Sequence, residues 1–223
     1  MKGFEKIRAV IFDMDGTLLD SMWAWRGENR IFLKRHGYEV PEDLEGGIDT
    51  LSSHAFAKRF AEEHSGEFTV DGIMGEYLDS MCRHYETDVF PKKGAEAFLE
   101  KLTEAGIRLC VATATPRDIA KNALGIHGLD KYFLFVTDDV EMGAPKSNPV
   151  FFDRISERLG VKKEECVIFE DSLYAMKSAC QAGVTAFAIE DFVHRGNSEL
   201  MQKISDTAAV FVKDFEEAIE ILF

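Results

Sequence analysis

The sequence contains no long hydrophobic run. Its N-terminal stretch, MKGFEKIRAVIFD, reaches only four apolar residues together before an aspartate, too few for a signal peptide or a spanning helix. The chain is therefore expected in the cytoplasm, without a membrane partner. Positive charge is also scarce, with 26 Lys and Arg against 40 Asp and Glu and a net charge of −14. Such a surface repels nucleic acid and anionic lipid, and no basic patch overrides the field, so a nucleic-acid partner is not expected. Cysteine is sparse: Cys82, Cys110, Cys166 and Cys180 form neither a C-x-x-C pair nor a metal spacing, and all four read as reduced structural thiols. Repeats, low-complexity segments and coiled-coil heptads are missing, so nothing local declares an oligomer. A monomer is expected, with a dimer as the alternative. What is present is the balance of a soluble globular protein, 46% hydrophobic and 30% charged over 223 residues, enough for one domain or a domain with a smaller companion.

Short apolar runs alternate with amphipathic stretches, the rhythm of parallel strands joined by helices. The runs are AVIFD (9–13), IRLCVAT (107–113), YFLFVT (132–137), CVIFE (166–170), VTAFAI (184–189) and AAVFV (208–212). Being apolar throughout and rich in Val, Ile and Phe, they suit strands covered on both faces. Helices are expected at 93–106, 148–160 and 172–183, each closed by a glycine at its C-cap. Residues 21–90 differ: three stretches have helical periodicity and none reads as a strand. The expected fold is α/β, a doubly wound, mainly parallel, Rossmann-like sheet formed by 1–20 and 91–223. A small all-helical domain, 21–90, is inserted after the first strand. An insertion at a strand's C-terminal end sits over the crevice where open α/β sheets bind ligands, so this one is expected to act as a lid.

The strand ends carry the chemistry. In an open parallel sheet the C-terminal ends share one edge, which would bring together Asp13 and Asp15, Thr113 and Thr115, Glu170 and Asp171, with Lys146 from the loop after the 132–137 run. Four carboxylates in one cleft repel each other unless a cation sits among them, and an all-oxygen set suits Mg²⁺. Thr113 and Lys146 would then offer a phosphate a hydroxyl and a positive point charge. Glu170 and Asp171 could equally complement a helix dipole, a role compatible with metal binding. Asp20 and Ser21 read as caps of the first inserted helix.

These residues resemble the four signature motifs of the haloacid dehalogenase-like hydrolase superfamily: DMDGT at 13–17, Thr113, Lys146 and EDS at 170–172. Motif order, the helical insertion and the final strands are similar along the whole chain, most of all to the β-phosphoglucomutase and phosphoglycolate phosphatase subgroup with its helical cap. One departure is APKSNP, where Ser147 follows the lysine and the family usually has proline. The resemblance implies that Asp13 is a nucleophile forming an aspartyl-phosphate, and that Asp15 protonates the leaving alcohol and then activates water. Their environments must split the two acids' pKa values. Gly16 allows the turn, with Met14, Asp15, Thr113, Ala114 and Lys146 around the phosphate. Asp13, Asp171 and the Asp15 carbonyl would hold Mg²⁺, with Glu170 in its outer shell.

The implied substrate is a small phosphorylated metabolite: a sugar phosphate, phosphoglycolate or a nucleoside monophosphate. In the resembling mutases a histidine early in the first cap helix gates the general acid. Here DSMWAWRGENR places Trp23 and Trp25 where that subgroup has an acid and the histidine, which favours hydrolysis over isomerisation. The tryptophans either pack the cap or wall the leaving group. Arg26, Glu28, Asn29, His54 and Arg59 are the remaining candidate contacts, solvated helix positions being the other reading. A phosphomutase, a non-enzymatic phosphate-binding protein and a dehalogenase are the weaker alternatives.

Overall fold

The computed structural model describes residues 5–41, 44 and 52–223. Residues 1–4 of the N-terminal stretch and residues 42–43 and 45–51 of the helical segment lie outside it. The chain divides into two compact units, Met1–Asp20 with Phe90–Phe223, and Ser21–Val89.

The larger unit is built on a six-stranded sheet in the order β3-β2-β1-β4-β5-β6. Its strands are β1 (Ala9–Phe12), β2 (Arg108–Ala112), β3 (Val136–Thr137), β4 (Cys166–Glu170), β5 (Thr185–Ile189) and β6 (Val210–Val212). Every pairing is parallel, and the strand order is that of a Rossmann-type sheet, with the switch of direction beside β1. Helices α4 (Ala95–Glu104), α5 (Arg117–Ile126), α6 (Asp139–Met142), α7 (Pro149–Leu159), α8 (Leu173–Ala182), α9 (Ser198–Thr207) and α10 (Phe215–Leu222) connect or follow the strands.

Because successive strand residues point to opposite faces, β1 splits its apolar run between two cores. Ala9 and Ile11 join Cys110, Ile168, Ala186 and Ala188 under Phe151, Phe152 and Met176. Phe12 points the other way, stacked on Phe169 with ring centroids 5.4 Å apart, and α4 and α10 close that face with Phe98 and Phe215 stacked at 5.3 Å. Burying a phenylalanine fully is worth about 1.5–3 kcal/mol, so this aromatic layer is a main source of the unit's stability.

The YFLFVT run is strand only at Val136–Thr137, preceded by a 3₁₀ turn at Asp130–Tyr132. β3 is a sheet edge, and Leu134 lies 65% exposed; an edge strand is held from one side only. The expected glycine closures hold for α7 and α8, at Gly160 and Gly183. Helix α4 ends at Glu104, and Gly106 closes it one residue after the cap Ala105, at φ +72°, its amide donating to Thr103 O and the Ile107 amide to Leu102 O. All four cysteines are free.

The smaller unit contains α1 (Met22–Arg35), α2 (Ser53–Glu63) and α3 (Val70–Thr87). Ser52 and Thr69 cap the last two by accepting from the Ala55 and Gly72 amides. Ser21 occupies the N-cap position of α1, but its side chain makes no capping bond; its carbonyl receives the Ala24 and Trp25 amides. Phe32, Phe56, Phe60 and Tyr77 form this unit's own aromatic core. Among the described residues no helix is long and apolar enough to cross a membrane.

Candidate active site

Where β1 stops, the Asp13 amide still donates to Phe169 O (3.0 Å), extending the ladder to β4 by one residue. Asp13 is thereby fixed to the sheet. The chain then turns: Met14 is fully buried and its carbonyl accepts from the Thr17 and Leu19 amides, while the Gly16 amide donates to Leu19 O. Gly16 has φ +82°, a left-handed conformation that a side chain would oppose. The turn leaves Asp15 half-buried, with the Thr115 hydroxyl donating to its Oδ2 at 2.7 Å.

The ends of β2 and β4 supply the rest. Thr113 is buried, its amide donates to Thr137 O, and its hydroxyl accepts from the Thr115 amide (3.1 Å). The hydroxyl proton therefore remains available to another acceptor. Ala114, between them, is exposed. Glu170 and Asp171 are 1% and 4% exposed at the end of β4. Glu170 Oε1 accepts from both the amide and the hydroxyl of Ser172 (3.0 and 2.7 Å), at the start of α8. Lys146, beyond α6, enters between strand ends, with Nζ 2.5 Å from Asp13 Oδ1 and 2.7 Å from Glu170 Oε2. Its own amide donates to Asp139 Oδ1 (2.9 Å), which fixes the loop.

Asp13, Glu170 and Asp171 each bring one carboxylate oxygen within 4.8 Å of the others. The charges explain how such a cluster behaves. Burial first, then the Glu170 charge, push the Asp13 carboxyl well above the usual range, against the pull of Lys146. Asp171 is raised well above it by burial, then by Glu170 and Asp191, against Lys92 and Lys146. Burial acts to lower the Lys146 pKa, but the charges of Asp13 and Glu170 outweigh it and raise it, which favours the charged form of Lys146. Asp13, Glu170, Asp171 and Asp191 thus share a covered region with Lys146 and Lys92 as compensating cations. A hard divalent cation would balance what remains, and an all-carboxylate donor set fits one.

Thr115, His194, Asp191 and Lys92 belong to this region without having been assigned a role from sequence. Thr115 lies two residues beyond a strand-like run, so its position was legible but not its bond to Asp15. The others lie in turns. The His194 ring Nε2 stands 3.3 Å from Asp171 Oδ2, and Lys92 Nζ stands 3.0 Å from Asp191 Oδ2.

In the helical unit, Trp23 is 38% exposed and stands edge-on to His84, with ring centroids 5.2 Å apart. Trp25 is half-buried against the aromatic core, and its carbonyl accepts from the Ser53 hydroxyl. Arg26 is half-buried, His54 is exposed, and Arg59 is exposed with Glu63 at 3.8 Å. Glu28 and Asn29 are not solvated, each being 1% exposed. Glu28 lies beside Ser80 and 3.9 Å from His84 Nε2, and Asn29 Oδ1 accepts from the Tyr77 hydroxyl (2.9 Å). Helix α3 thus takes up the polar side chains that α1 turns inward.

The profile of the haloacid dehalogenase-like hydrolase family matches residues 7–183. The chain belongs to this family. Among its relatives is the phosphorylated carbohydrates phosphatase of Thermotoga maritima, 28% identical over 218 residues that cover 97% of this chain and 98% of the relative. The phosphoglycolate phosphatase of Vibrio parahaemolyticus is 25% identical, over 92% of this chain and 99% of its own. A crystal structure from Thermotoga maritima, carrying the provisional name beta-phosphoglucomutase, superposes with a TM-score of 0.76 at 25% identity, covering 97% and 98% of the two chains. These agree with the subgroup the sequence resembled. The chain is a hydrolase with the Rossmann-like fold of this family.

Proposed function

We propose that this hydrolase is a Mg²⁺-dependent phosphatase of a small phosphorylated metabolite, acting through an aspartyl-phosphate on Asp13. The observation that carries the proposal is Lys146 held between Asp13 and Glu170, beside Asp171, at the ends of adjacent strands β1 and β4. Relatives named as phosphatases of phosphorylated carbohydrates and of phosphoglycolate support a sugar phosphate or phosphoglycolate substrate, and a nucleoside monophosphate is the third class in this reading.

In this reading an Asp13 carboxylate oxygen bonds to phosphorus as the bond to the alcohol oxygen breaks, and Asp15 gives that oxygen its proton. Asp15 then takes a proton from water as the water oxygen attacks phosphorus and Asp13 is released. The Thr115 hydroxyl fixes the direction of Asp15 through both halves. Thr113 donates its free hydroxyl proton to a phosphoryl oxygen, and Lys146 adds its charge where the transition state spreads negative charge. Asp13, Asp171 and the Asp15 carbonyl would hold Mg²⁺ with Glu170 behind them, and the ion when bound neutralises phosphoryl oxygens and lets the clustered acids ionise together.

The proposal extends to 21–90 as the segment that selects the leaving group, with Trp23, Trp25, Arg26 and His54 as its candidate contacts. Hydrolysis is favoured over a mutase reaction because Trp25 stands where the resembling mutases carry their gating histidine. A mutase would need a bisphosphate primer and release no net phosphate. The deciding experiment is a panel of metabolite monophosphates with Mg²⁺, read as phosphate release. Wild type should turn over at least one sugar or glycolate phosphate, and Asp13→Asn should lose at least about 10³-fold in kcat. Undiminished turnover by Asp13→Asn would refute the nucleophile.

A further inference from the structure

We infer that His194 is a positioning residue for the divalent cation: it orients Asp171, and the Lys92–Asp191 pair fixes His194 in turn. The inference rests on the proposed role of Asp171 as a metal ligand. His194 is 9% exposed, on the 3₁₀ turn Phe192–His194 that follows β5, and its Nε2 lies 3.3 Å from Asp171 Oδ2. A carboxylate ligand can rotate about its terminal bond and offer a cation either oxygen, or neither. A ring N–H holding Oδ2 restricts that rotation and directs Oδ1 elsewhere, as groups behind metal ligands generally do.

The turn is itself held at several points, which a histidine merely filling space would not need. Asp191 Oδ1 accepts from the Val193 amide (3.1 Å), and the Asp191 carbonyl accepts from the His194 amide (3.2 Å). Asp191 Oδ2 pairs with Lys92 Nζ at 3.0 Å, and the same Nζ donates to Glu190 O at 2.6 Å. Lys92 arrives from a distant part of the chain, directly after the bridge of Leu19 with Pro91. It is fixed there by its backbone N–H, which donates to Leu18 O (2.8 Å). The carbonyl of His194 accepts from the Asn197 amide (2.9 Å), tying the turn to α9. The result is an unbroken series, Lys92 to Asp191 to the turn to His194 to Asp171, in which the side chains of Lys92, Asp191, His194 and Asp171 are all largely buried. Lys92 also opposes the accumulation of negative charge around Asp171.

The test is Mg²⁺ titration of the full chain by calorimetry, with the melting temperature of each metal-free protein measured alongside. His194→Ala should weaken Mg²⁺ binding by about 10- to 100-fold, with a metal-free melting temperature near that of wild type. His194→Gln, which keeps an N–H donor of similar reach, should recover much of the affinity. Should His194→Ala not fold, His194→Met fills the space without a donor and takes its place against His194→Gln. Wild-type affinity in the donorless variant would overturn the inference, provided that wild type binds Mg²⁺ and Asp171→Asn does not. Failure of wild type to bind Mg²⁺, or full binding by Asp171→Asn, would instead overturn the metal reading beneath it.

Discussion

In the proposed reaction Asp15 can serve as acid and then base only if its carboxyl stays aimed at one place, and the bond from the Thr115 hydroxyl supplies that constraint at 2.7 Å. Thr115→Val keeps the shape and removes the donor. It should lower kcat by about 10-fold, part of the 10²- to 10⁴-fold that a placed general acid contributes, and leave KM within about twofold. Steady-state kinetics on the substrate found by the panel measures this. A rise in KM at constant kcat would place Thr115 in binding instead. The same residue shows what can be read from a sequence. Asp13, Thr113, Glu170 and Asp171 were legible because each ends an apolar run, and parallel strands bring their ends to one edge. Lys146 was legible from its family-like setting. The partners of Asp15 and Asp171 were not: Thr115 and His194 meet them across 100 and 23 positions, and Lys92 and Asp191 lie in turns whose local pattern records no contact.

The elements themselves followed from periodicity wherever burial is two-sided. β1, β4 and β5 occupy the core and stand where their apolar runs do, whereas β3 shrinks to two residues at the sheet edge. Other contacts between elements have no sequence signature. Gly94, before α4, has φ +78°, and a Cβ there would come within 2.7 Å of the Glu216 amide nitrogen at the start of α10. Gly94→Ala combines a strained backbone with a clash against backbone, so it should cost about 2 kcal/mol or more, measured by denaturant unfolding, with metal affinity preserved. A loss below about 0.5 kcal/mol would mean that the two helices can separate freely. In the helical unit, burial raises the Glu28 pKa against the pull of Ser80 and His84. Because an acid with a raised folded pKa binds its proton more tightly when folded, stability is fully present below the unfolded value. It is lost as pH rises through the folded one. Glu28→Gln removes this dependence. Its melting temperature should gain on wild type as pH is raised from acid towards 8, and parallel curves would refute the buried-acid account.

At the scale of the whole molecule, the sheet order and the position of the clustered carboxylates are one fact. With β1 central and the chain reversing direction beside it, the ends of β2, β1 and β4 adjoin, and acids placed there must coexist in a covered region. Lys146 and Lys92 offset Asp13, Glu170, Asp171 and Asp191 only in part. The metal-free fold therefore carries an electrostatic load that the −14 net charge of the chain does nothing to relieve. A cation that binds the folded site and not the unfolded chain stabilises the fold by mass action, about 2.7 kcal/mol at a concentration 100 times its Kd. For a domain of this size each kcal/mol moves the melting temperature by about 2–4 °C. Chelation should thus abolish phosphatase activity and lower the melting temperature by several degrees, with Mg²⁺ restoring both. NaCl at matched ionic strength should restore neither, because screening acts weakly on buried charges. In Asp171→Asn the shift with Mg²⁺ should largely vanish. A wild-type melting temperature indifferent to Mg²⁺, or equally raised by NaCl, would show that the clustered acids are held by protonation and by the two lysines alone.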